Sequence, residues 1–111
     1  AFKRVYKVEL EGASDVSAID HLPAQETPAG VVALRKSLLI DFLDPRFGLA
    51  GEKCPEKIEG LAFGPDLADG RHLLLVSIDN DFKPEVPNAF WAFALERSLL
   101  PGFEPAQFDA R

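Results

Sequence analysis

A chain of 111 residues, 47% hydrophobic and 27% charged, is sized for one small domain and is neither disordered nor membrane-spanning in character. Its net charge of −6 argues against nonspecific nucleic-acid binding, which needs a basic footprint. The acidic surface is left to serve cation binding or plain solubility.

Nine prolines and eight glycines point to many turns rather than long helices. The apolar runs at 38–40 and 73–76 are far too short to cross a bilayer. Cys54, the single cysteine, has no internal disulfide partner and, between Lys53 and Pro55, reads as an inert thiol in a turn. Methionine is absent, and residues 1–10 already read as a strand with no leader before them. The expectation is a mature or excised piece, part of a larger domain.

In chain order, Phe2, Arg4, Tyr6, Val8 and Leu10 alternate with Lys3, Val5, Lys7 and Glu9. The first set is mostly apolar, which predicts a half-buried strand with that side inward. Gly12 ends it, and residues 13–19 are expected to form a short second strand. Residues 21–30 form a loop, in which His21 reads as solvated. Residues 31–43 are read as one or two strands, although 34–39 would tolerate helix. Arg35 and Lys36 are read as a solvated strand face rather than a phosphate contact. Residues 44–56, with Pro45, Gly48, Gly51 and Pro55, form a surface excursion without the spacing of a phosphate-binding loop.

The stretch 57–82 organises the chain as two apolar strands about a Gly/Pro/Asp turn. In an extended strand Glu59, Leu61 and Phe63 share one face, and Ile58, Gly60 and Ala62 the other. Asp69-Gly70 is a tight-turn signal. The nearly continuous apolar run 73–78 predicts a returning strand buried on both faces. Residues 89–95 make a further strand, with Trp91, Phe93 and Leu95 on one side. The tail holds Phe103 and Phe108, which suits docking on the body. The sum is an all-β, antiparallel meander of five to seven strands. Two loose strand-turn-strand halves are compatible with two blades of a β-propeller, and equally with a sandwich or a small barrel.

Asp79-Asn80-Asp81, with Glu85 four residues on, invites a calcium reading, because carboxylates at i and i+2 can converge on a hard cation. The helix-loop-helix calcium pattern fails, since Lys83 and Pro84 stand where a ligand and a glycine are needed. Any site must therefore be completed from elsewhere, by Glu59 or Asp66. The competing reading is that Asp and Asn simply end a strand. Ser77 lacks the flanking glycines of a nucleophile elbow, and Arg71-His72 reads as a turn-exposed pair.

The same stretch resembles the phytase-like family, described as esterase-like activity of phytase. The matching positions are Ile58, Glu59, Gly60, Leu61, Ala62, Phe63, Gly64, Pro65, Leu67, Asp69, Gly70 and Arg71, and then Ser77, Asp79, Asn80 and Phe82. Ile78 stands where the family usually has an acid, and Asp81 intervenes before Phe82. Weaker similarity runs through residues 6–17, 35–39 and 90–95. The resemblance implies a C-terminal portion of a larger, β-propeller-like, periplasmic or secreted protein. It further implies a calcium-assisted phosphoester hydrolase, with Glu59 and Asp79 as catalytic acids and Glu59, Asp79 and Asp81 as metal ligands. The alternative is a non-catalytic propeller segment acting as a ligand- or protein-binding module, inactive alone. Its partner would be the remainder of its parent chain or another copy.

Overall fold

The protein was analysed as a computed structural model that describes residues 2–51, 54 and 57–107. Two compact units are present, Ala1–Lys53 and Cys54–Arg111. Among the described residues there are five strands: β1 (Arg4–Glu9), β2 (Arg35–Asp41), β3 (Ile58–Phe63), β4 (His72–Ile78) and β5 (Ala89–Leu95). Helix is limited to short 3-10 turns, among them Pro45–Phe47 and Arg97–Leu99. The fold is therefore all-β, with antiparallel sheets of order β1-β2 and β3-β4-β5. Neither sheet has the four strands of a propeller blade among the described residues, and neither closes on itself.

In the first unit β1 and β2 pair over their whole length, with a bulge that leaves Leu39 unpaired between the Val5–Ile40 and Tyr6–Leu38 pairs. The bulge sets which side is inward. Ile40 and Phe42 are 5% and 2% exposed, and Val5 shares their side. The apolar-looking side expected to be buried is the open one: Phe2, Val8 and Leu10 are exposed, and Lys36 caps the Tyr6 ring at 4.7 Å. Alternation marks a strand, but the side that is covered depends on the partner strand.

Residues 13–19, expected as a second strand, form none. Their backbone donors are used locally: Ala13 N bonds Leu10 O, Ile19 N bonds Val16 O, and Ser17 N bonds the Asp15 carboxylate. Such local bonds compete directly with a sheet ladder. Ser14 instead ties this loop to Val32 twice, through its backbone N to Val32 O (2.9 Å) and through its Oγ accepting from Val32 N (2.8 Å).

In the second unit β4 is the central strand and its side chains alternate strictly. His72, Leu74, Val76 and Ile78 are buried, and Leu73, Leu75 and Ser77 are half-buried. Burial on both faces, expected from the continuous apolar run, is thus not complete. Phe93 and Leu95 of β5 join the buried side. The turn from β3 to β4 follows its sequence signals. Gly70 has φ +86, Gly70 N bonds Leu67 O, and the Asp69 carboxylate accepts from Arg71 N and pairs with its guanidinium at 2.7 Å. A positive φ at that turn position favours glycine, which has no Cβ to clash.

Gly60 is needed for a different reason. A Cβ there would run into Ser77 Oγ and lie 3.3 Å from Ser77 Cβ on the facing strand. Gly60→Ala is expected to destabilise by about 1–2 kcal/mol, and Ser77→Ala in the same chain to recover most of that loss. Denaturant midpoints of the two single variants and the double variant check this. Additive single effects would contradict it.

Candidate functional site

The predicted acids lie around the end of the β3–β4 pair where β4 finishes. Asp79 N donates to Lys57 O at 3.1 Å, which closes the ladder there. Ile58 pairs with Ile78 and Gly60 with Ser77, so Glu59 is the extra residue of a β-bulge. The bulge breaks the expected alternation: Ile58, opposite Ile78, joins the side of Leu61 and Phe63, and Glu59 is exposed at the irregularity. Bulges commonly re-aim one side chain in this way.

Beyond Asp79 the chain turns through two consecutive residues with left-handed backbone, Asp81 (φ 55) and Phe82 (φ 58). For a bulky residue this conformation is uncommon and costly. Phe82 obtains no compensating packing, since it is 96% exposed. Asn80 holds the loop in place. Its Nδ2 donates to Lys83 O (3.2 Å) and Val86 O (3.0 Å), its Oδ1 accepts from Phe82 N (3.1 Å), and its own N donates to Asn88 Oδ1 (3.0 Å). With its side-chain amide committed to the backbone, Asn80 shapes the loop.

The carboxylates are less committed. Asp79 Oδ1 accepts from Asp81 N at 3.2 Å, and Asp81 Oδ2 lies 4.0 Å from Lys83 Nζ. Glu59, Asp79 and Asp81 sit on adjoining backbone but do not make a metal-holding group. Among the described residues no cluster of three or more His, Cys, Asp or Glu side chains is arranged to hold a metal ion. Two exposed aspartates of one loop fit a hard cation in donor chemistry.

The other residues considered are accounted for elsewhere. His21 is exposed in the loop of the first unit, and Arg35 pairs with Glu9 at 3.0 Å. Cys54 is half-buried, while its flanks Lys53 and Pro55, like Phe108, lie outside the described residues.

Asp66 does not join the acidic rim. It lies beyond the opposite end of β4, which at about 3.3 Å per residue puts about 20 Å of strand between them. There it belongs to a cluster that sequence reasoning missed. His72, read as turn-exposed, is 1% exposed. Its Nδ1 is 2.7 Å from Asp66 Oδ1, and Asp66 Oδ2 accepts from Arg97 Nη1 at 2.6 Å. Glu104 follows, 3.6 Å from Arg97 Nη2. The hydrogen bond from His72, with Arg97 beyond it, holds the Asp66 carboxyl below its ordinary range despite the opposing effect of burial. Phe103 packs edge-to-face on His72 (5.1 Å, 84°) and lies 4.3 Å from the Phe63 ring. The expected docking of the tail is thus seen at Phe103. A cleft of about 480 Å³ borders the cluster, lined by Pro65, Asp66, Glu104, Pro105, Ala106 and Gln107. The available signal was the period-2 register that places His72 in line with Leu74, Val76 and Ile78.

No helix among the described residues is long and apolar enough to cross a membrane. Comparison with individual curated proteins and with solved structures gave no match. A family model, phytase-like (esterase-like activity of phytase), matches residues 1–82 and so takes in β1 to β4 and the loop through Phe82. The chain belongs to the phytase-like family.

Proposed function

We propose that this chain is the C-terminal part of a phytase-like phosphoester hydrolase, built as a propeller and exported to the periplasm or secreted, and that calcium assists its chemistry. Family membership over residues 1–82 supports the hydrolase assignment and is the observation that carries it. The bulge at Glu59 and the strained loop after Asp79 support the location, because strained backbone persists where the surrounding structure has a use for it. Glu59 and Asp79 are the catalytic acids of this reading, and Asp81 joins them as a metal ligand. The rest of the coordination shell comes from outside the described residues. A bound calcium ion would polarise the phosphoryl oxygen and acidify an attacking water. The chain's own part is to hold the acids on a fixed strand end and, through Asn80, to keep the loop from relaxing.

The test uses the intact polypeptide that carries this chain. Hydrolysis of phosphomonoesters and phosphodiesters is expected to require calcium and to fall by about a hundredfold in Glu59→Gln and in Asp79→Asn. The isolated chain is expected to be inactive. A wild-type parent that is inert toward both substrate classes and indifferent to calcium would overturn the assignment. Full activity in both variants would remove these acids from the site.

A further inference from the structure

Among the described strands β1, β2, β3 and β5 lie at a sheet edge, and three of them are guarded. β1 and β2 carry charged residues along their length and a bulge in their ladder. β3 carries Glu59 at its own bulge. Charges and bulges on an edge strand hinder its pairing with another chain. β5, AFWAFAL, has neither: it holds no charged residue and no proline, and its register with β4 is unbroken from Ala89 to Leu95.

The ladder decides which groups of β5 are open. Gly64 N donates to Leu73 O, and Asp79 N donates to Lys57 O, so the odd-numbered residues from 73 to 79 turn their backbone groups toward β3. Backbone groups of successive residues point to opposite edges of a strand, so the even-numbered residues of β4 face β5. Their partners there are Leu95, Phe93, Trp91 and Ala89. Phe90, Ala92 and Ala94 therefore turn both N–H and C=O away from the sheet. Among the described residues none of these groups has a backbone partner. The three side chains are exposed as well, Phe90 by 75%.

We propose that the open edge of β5 pairs antiparallel with β5 of a second copy of this chain, about a twofold axis at Ala92, and so joins two β3-β4-β5 sheets into one. The strand is self-complementary in that register. Ala92 meets Ala92, and Phe90 meets Ala94 on both sides of the axis, so each large exposed side chain lies opposite a small one. Each of these pairs exchanges two hydrogen bonds, so every open group on both strands is used. A slip of two residues either way leaves one of the three without a partner inside the strand and puts Phe90 opposite Ala92 or Glu96. At the strand ends Glu96 meets Asn88, and no like charges are opposed. A twofold axis makes one patch serve both copies, which is what a self-complementary strand provides. One pair of strands is a small contact, so the dimer is expected to be reversible.

The experiment uses the intact polypeptide that carries this chain. Sedimentation equilibrium is expected to show one copy passing to two as concentration rises, with amide exchange at Phe90, Ala92 and Ala94 slowing in step. Ala92→Lys and Ala92→Glu each set like charges directly opposite at the axis and are expected to weaken the dimer about fivefold. An equal mixture of the two is expected to regain it, because opposite charges then face each other, and a variant that had merely lost its fold would not be rescued. Should both variants fail to fold, the wild-type exchange decides. A single copy at every concentration overturns the pairing, as does a dimer that both variants leave intact or a mixture of the folded variants that stays monomeric. Protection of the three amides in a monomer, unchanged by concentration, gives the edge to another strand of the same polypeptide and overturns it too.

Discussion

Leu74→Ala is expected to lower the free energy of unfolding by about 2–4 kcal/mol, whereas Leu75→Ala, one position along the same strand, should cost less than half as much. Both remove the same atoms from the same strand. Leu74 is 2% exposed and points to the side shared by Val76, Ile78, Phe93 and Leu95. Truncation there removes apolar contacts and leaves a cavity on the buried face, beside Phe63 and Phe93, that a paired central strand cannot easily close. Leu75 is half-buried on the other side, opposite Ala92, where solvent can fill the space. Equilibrium denaturation of the two variants measures the difference. Equal losses would mean that both faces of β4 are covered, as the continuous apolar run alone suggests.

The second expected result is a pH-dependent difference between the wild type and Asp66→Asn. Asp66 has its carboxyl lowered below 3.8 in the folded chain, first by the hydrogen bond from His72 and then by Arg97. The unfolded chain therefore binds the Asp66 proton more readily than the folded one. Its stabilising contribution is fully present above the unfolded pKa and is lost as pH falls through the lower folded value. The wild type is expected to be the more stable near neutrality, and the gap should close on acidification below about pH 4. Asp41, Asp44 and Asp69 are lowered as well, by Arg4, Arg46 and Arg71, so they add to the acid slope of both proteins. The difference between the two curves reports Asp66 together with its partners His72 and Arg97. A gap that stays constant through that range would show that the charge of Asp66 is not what holds the cluster.

What sequence reading recovers here is what neighbouring residues decide. β3, β4 and β5 lie where alternation and the Gly64, Asp69-Gly70 and Pro87 punctuation put them. The acids at the end of β4 were likewise legible, because a strand end followed by Asp-Asn-Asp is a local pattern. The missed features depend on residues far apart in the chain. The inward side of β1 follows from a bulge in β2 more than thirty positions away. The bulge that frees Glu59 is invisible until β3 is laid against β4. Residues 13–19 look like a strand, but local carboxylate and carbonyl bonds take up their donors.

His72 shows the division most clearly. Beside Arg71 after a turn, its neighbours suggest an exposed pair, yet its parity along β4 puts it in line with three buried apolar residues. Parity is a property of the sequence. Burial came from tertiary packing, when Phe103 closed over the ring and Arg97, 31 positions from Asp66, completed its charge partners. The sequence by itself determined the positions of β3, β4 and β5, the turn between β3 and β4 and the family of this protein, because these rest on backbone preferences and motifs read over a few residues. Only the tertiary structure decided which faces are covered and which polar groups meet, because those outcomes depend on register between strands and on which distant side chains reach the same buried space.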